Sequence, residues 1–166
     1  METHDDAKAH AHMSHEMKSP YVKFWVSLAA NALLMFVLMF VMINTFAEFI
    51  PNINFIYMAL VMAAPMGIMM LATMPMMYRD KKKNLLSYAA LALILVASFV
   101  FIRNQTFVGN EGFLASMVPH HSGAILMCRQ AKITDPEITS LCENIKKSQQ
   151  QEIDQMNTIR KRLSGK

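Results

Sequence analysis

Two histidines stand side by side in the stretch "SMVPHHSGAILMC", residues 116–128, flanked by methionines and closed by a cysteine. Imidazole, thioether and thiolate are all metal donors. Thioether and thiolate select Cu(I), whereas imidazole accepts copper, zinc or iron. On a helix turning by about 100° per residue, Met117, His120, His121, Ala124, Met127 and Cys128 share one broad face. Downstream, Leu141, Ile145, Glu152 and Met156 share a second face, with Ser148 and Gln149 at its two sides. If the chain reverses around Thr134, antiparallel neighbours carry numbers summing to about 270. Cys128 then lies level with Cys142 and His121 with Gln149, and one turn either way brings Glu152 and Met156 within reach of Met117 and His121. Such a site would combine imidazole and thioether with a carboxylate, and copper is the natural first occupant. The competing reading makes Met117, Met127 and Met156 gap-filling core residues and one histidine an internally hydrogen-bonded side chain. Cys128 and Cys142 either close a disulfide between the two helices or leave Cys128 as a thiolate ligand.

These residues need helices to carry them. Asn110 is a candidate cap for the first, which runs to about Ile133 with Pro119 as a kink or a restarted first turn. Asp135 followed by Pro136 and Glu137 is a strong start for the second, which runs to about Leu163. The 103–166 segment therefore reads as a helical hairpin. Two amphipathic helices cannot enclose a core alone. A hairpin from a second chain is the simplest cover, giving a four-helix bundle about a two-fold axis and a homodimer at least.

The rest of the chain is built for a bilayer. Of its 166 residues 54% are hydrophobic, concentrated in three charge-free runs: Phe24–Ile43, Phe55–Tyr78 and Leu85–Ile102. At about 1.5 Å per residue the first reaches roughly 30 Å, the thickness of a hydrocarbon core. The second carries Pro65 and Pro75, which membrane helices tolerate with a tilt or kink. The fold class is thus all-α membrane protein: a 1–23 tail, three transmembrane helices over 24–102, and the hairpin over 103–166. A cleaved signal peptide is the rival reading of the first run, but its length favours an uncleaved anchor. Arg79, Lys81, Lys82 and Lys83 fill the loop after the second run, whereas the loop after the first holds no base. The positive-inside rule then places the N-terminal tail in the cytoplasm and the hairpin on the outer, periplasmic or otherwise extracytoplasmic, face of an inner membrane. The net charge of +4 is mostly this topology signal. The few glycines form no phosphate loop and no basic groove with aromatics appears, so no nucleic-acid partner is expected.

Two further regions are rich in donors. The tail gathers His4, His10, His12 and His15 into a possible secondary metal-capturing segment. Methionine occurs 17 times, with stripes at Met35, Met39 and Met42 and at Met58, Met62, Met66 and Met69 that read as flexible packing between helices. A ferritin-like di-metal oxidoreductase would need inward Glu residues and Glu-x-x-His motifs, and none is present. A non-enzymatic protein is expected. The remaining alternative is a structural or sensory membrane module whose hairpin is a dimerisation or partner-binding surface.

The runs "FLASMVPHHSGAILMCRQA" (113–131) and "DPEITSLCENIKKSQQQEIDQM" (135–156) resemble a bacterial family catalogued as domain of unknown function 305. The shared hallmark is Met, Pro, His-His, Ala, Met on one helix and Gln, Glu-Ile, Met on the next, over roughly residues 111–163. The resemblance implies a helical, often ferritin-like domain of a kind found in periplasmic copper-binding proteins. It implicates Met117, His120, His121, Met127 and Met156, with Gln149 and Glu152 in support. Cys128 departs from the family, which usually has a small residue there, and a single hairpin stands where many relatives carry longer or duplicated bundles. The function implied is copper binding for tolerance or delivery, with copper-handling proteins as partners; another transition metal is the alternative.

Overall fold

The structure, a computed structural model, describes residues 20–165. The metal-capturing tail expected at His4, His10, His12 and His15 lies outside the described residues. Every regular element within them is helical: α1 (Pro20–Leu38, prolonged by a 3-10 turn at Met39–Met42), α2 (Ile53–Thr73), α3 (Lys81–Asn104), α4 (Asn110–Gln130) and α5 (Pro136–Leu163). The first three are long and apolar enough to cross a membrane. Helix α2 ends at Thr73, before Pro75, and keeps only Pro65 inside.

Helix α2 is the middle member of the apolar layer. Phe24 and Leu28 of α1, Ala63, Ala64 and Leu71 of α2 and Leu91 of α3 form its buried core, with Tyr21 and Tyr78 at one end. Gly67 lets the three approach: a Cβ there would stand 3.0 Å from Leu28 Cδ2 and 3.1 Å from Leu91 Cδ2. At the Tyr78 end the Asp80 side chain caps α3, accepting from the N–H groups of Lys82 and Lys83 at 3.0 and 3.1 Å, as short acidic side chains do at helix starts. The methionine stripe of α2 does not pack between these helices. Met58, Met62, Met66 and Met69 lie exposed on its outer face.

At the other end, α4 folds back over the residues joining α1 to α2. Gln105 takes a left-handed conformation (φ 49°), as does Phe107 (φ 61°), and the chain turns into α4. Gly109, not Asn110, is the N-cap, and it offers no side chain to the first turn. Pro119 sits inside α4 without breaking it. A proline has no N–H for the carbonyl four residues earlier, here Ala115, and the Asn52 side chain reaches that carbonyl instead at 3.4 Å. The same Asn52 caps α2 by accepting from Phe55 N–H at 3.0 Å, so one side chain serves two helices.

The seat of α4 extends further. Asn54 Nδ2 donates to Ser116 Oγ (3.0 Å), Ser122 Oγ donates to the buried Glu48 carboxylate (2.6 Å), and Arg129 donates to Asn44 Oδ1 (2.9 Å). The backbone at Gly123 runs beside Met42, whose carbonyl oxygen a Cβ would meet at 3.5 Å. Helix α5 then runs antiparallel to α4 from its Asp135 cap, whose carboxylate accepts from Glu137 and Ile138 N–H. Leu114, Val118 and Ile125 meet Ile153 and Met156 between the two, with Met117, Ile159 and Ile50 packed alongside. Part of the hairpin's cover is therefore supplied by this chain's own α1–α2 loop. The flank carrying Phe113, Met127, Ile138 and Leu141 remains exposed.

Candidate metal site between the hairpin helices

The antiparallel register is fixed at three levels. Cys128 and Cys142 form a disulfide with their Cα atoms 5.3 Å apart, Arg160 pairs with Glu111 at 2.7 Å, and His121 Nε2 lies 2.6 Å from Glu152 Oε2. The disulfide takes up the Cys128 sulfur. Cys128 is accordingly removed from the expected ligand set, since an oxidised sulfur offers no thiolate.

His121 is buried, 7% exposed, and both of its ring nitrogens are engaged. Nδ1 lies 2.9 Å from the Met117 carbonyl oxygen, one turn back. A carbonyl can only accept, so Nδ1 carries a proton and donates it. Nε2 is left facing Glu152, where lone pairs of nitrogen and carboxylate meet across a separation that a proton or a metal cation must bridge. A backbone carbonyl fixing one ring nitrogen while the other faces outward is how metal-binding histidines are usually oriented.

Four expected donors come together here in two i, i+4 steps: Met117 and His121 on α4, Glu152 and Met156 on α5. Residues so spaced stack on one helix face, and the two faces meet in the groove between the helices. Met156 is buried and Met117 half-buried in the same apolar cluster, so thioethers line the dry side while the Glu152 side chain, 51% exposed, lies toward solvent. Gln149, half-buried, lies one turn before Glu152 and forms no direct bond to the histidine.

Two expected residues are not brought in. His120 is exposed, its ring centroid 6.0 Å from that of His121 and tilted by 66°, because consecutive helical residues diverge by about 100°. Met127 is exposed on the next stretch of α4, away from the groove. Among the described residues, no three His, Cys, Asp or Glu side chains converge in a way that could hold a metal. The donor set is one imidazole, one carboxylate and two thioethers, which fits a soft ion of low coordination number better than a hard or tetrahedral one.

Three residues that the ligand pattern does not announce position this site. Glu48, Ser122 and Asn52 anchor α4 on its seat, and Ser122 also accepts from Asn44 N–H at 2.6 Å. The only trace in sequence is Glu48 itself, the sole charge in the α1–α2 loop.

Residues 63–160 match the family described as "Domain of unknown function (DUF305)". The chain belongs to this family. The match begins in the middle of α2, well upstream of residue 111, and so takes in α3 as well as the hairpin. A curated relative, "Uncharacterized protein L153" from Acanthamoeba polyphaga mimivirus, is 34% identical over 118 residues, covering 70% of this chain and 76% of that protein. No solved structure matches the chain.

Proposed function

We propose that this is a membrane-anchored, non-enzymatic metal-binding protein that holds copper as Cu(I) in the α4–α5 groove, on the extracytoplasmic face of its membrane, for tolerance or for delivery to copper-handling proteins. The observation that carries it is the orientation of His121: its Nδ1–H is committed to the Met117 carbonyl, and its Nε2 faces Glu152 in a groove bordered by the Met117 and Met156 side chains. His121 would hold the ion through Nε2. Met117 and Met156 would supply soft donors from the apolar side, and Glu152 would give up its present contact or share the ion. The positive loop Arg79–Lys83 and a disulfide in the hairpin both favour placing the hairpin on an oxidising, exported side.

The test is anaerobic titration of the full chain in detergent micelles with Cu(I) against a competing chelator, with Zn(II) as control. His121→Ala is expected to weaken Cu(I) binding by at least about tenfold, and Met156→Leu to weaken Cu(I) while leaving residual Zn(II) binding unchanged. Tight Zn(II) binding without Cu(I) binding would sink the copper assignment.

A further inference from the structure

His120 and the open flank of the hairpin are left unused by the groove site. On α4, at about 100° per residue, the side chains resting on the Met42–Asn54 seat (Ala115, Ser116, Ser122) centre about a third of a turn from the line through Phe113, His120 and Met127. The seat joins the ends of α1 and α2, both long and apolar enough to span a bilayer. The open line therefore faces sideways along the membrane surface, neither down into it nor straight away from it. On α5 the exposed Ile138 and Leu141 extend the same flank. A second copy anchored in the same bilayer, related by a two-fold axis along the membrane normal, presents this flank to its equivalent.

The spacing of the flank suits itself. His120 lies midway between Phe113 and Met127, so antiparallel pairing of α4 with its copy, at numbers summing to about 240, sets Phe113 against the partner's Met127, a favourable sulfur–aromatic contact. His120 then meets the partner's His120 at the axis. The α4–α5 register read from the disulfide and the His121–Glu152 pair puts Glu152 above the same point. Two carboxylates are thereby brought toward the axis, an arrangement that repels unless a cation lies between them.

We propose that a second copy of this chain docks on this flank and that the two His120 imidazoles bind one further Cu(I) across the axis, a site that neither chain contains alone. It rests on the copper reading of the groove, but its residues are distinct. Two imidazoles suffice for Cu(I), and the Glu152 pair makes the metal-filled dimer more stable than the empty one.

The full chain in nanodiscs tests this with one cysteine added at a time. Under mild oxidation His120→Cys is expected to link two chains, while Lys147→Cys, on the opposite side of α5, does not. Unmodified protein is expected to shift from monomer to dimer by native mass spectrometry as Cu(I) is added, and His120→Ala to lose that shift and one ion per two chains while keeping the His121-dependent binding. Failure of His120→Cys to link better than Lys147→Cys overturns the docking mode. A Cu(I) content and dimer fraction unchanged in His120→Ala overturns the shared ion. In either case Cu(I) binding that still depends on His121 leaves the groove assignment standing, whereas no Cu(I) binding in the unmodified chain removes both.

Discussion

Pro119 and Asn52 show how much of α4 depends on single side chains. Proline deprives the Ala115 carbonyl of its helical partner, and the amide of Asn52 replaces it. Asn52→Ser keeps an acceptor to cap α2 but is too short to reach Ala115; it should cost about 0.5–1.5 kcal/mol in thermal or denaturant unfolding. Adding Pro119→Ala restores an N–H to the helix and should recover most of that loss, a coupling that a double-mutant cycle reads directly. Ser122→Ala is the companion case. It removes a donor from a buried carboxylate that retains the Thr45 N–H at 2.7 Å, and an expected loss of about 1–3 kcal/mol should appear as faster hydrogen exchange in α4. None of these partners is near in sequence: Asn52 and Ala115 are 63 residues apart, Glu48 and Ser122 74. That is why donor types alone reveal His121 and Glu152 but not the residues that hold α4 in place.

At the scale of elements, the hairpin register was legible because a helix is regular. A reversal near Thr134 puts Cys128 beside Cys142, and the disulfide is found there. The helix starts were less so: Asp135 has the expected cap role, but α4 begins without a side-chain cap because its first turn lies close against the α3–α4 turn and needs only Gly109. Closing a loop of 14 residues by a disulfide stabilises by about 3 kcal/mol in the chain-entropy account. The Cys128→Ser, Cys142→Ser double variant should therefore unfold its hairpin tip at lower urea, as read by hydrogen exchange at residues 124–146, yet bind Cu(I) with unchanged stoichiometry. A drop in stoichiometry would return sulfur to the ligand set. At the opposite end of the molecule, the Lys83 N–H donating to Asp80, with the Lys83 ammonium nearby, holds the Asp80 carboxyl below its usual range. A carboxyl lowered on folding stabilises above its unfolded value and loses that contribution as pH falls through the folded one. Exchange of the first-turn amides of α3 should thus accelerate on acidification, and in Asp80→Asn this acid-dependent acceleration should vanish.

For the whole molecule, the three long helices could be read from charge-free runs of the right length, since nothing but a bilayer accommodates them. What could not be read is the docking of the hairpin on the α1–α2 loop, because that loop, Ile43–Asn52, has no periodicity and its contacts come from hydrogen bonds scattered along α4. The methionines of α2 illustrate the same limit: their spacing fixes a face but not which way it turns, and it turns outward. Membrane orientation is open to direct measurement. In sealed vesicles of known sidedness, an impermeant thiol reagent should label Lys147→Cys from the exported side and Lys82→Cys only after permeabilisation; the reverse pattern would invert the topology proposed above.

The Asn52 contact also bears on how the protein is made. Synthesis runs from the N-terminus, so the α1–α2 loop crosses the membrane before α4 has been translated. The amide that completes the Pro119 turn is already waiting on the far side when that turn emerges. A chain whose first loop failed to cross would deliver α4 to a surface with nothing to receive it, and quality control could recognise the mistake from an unpaired carbonyl and an open helix before any metal was involved.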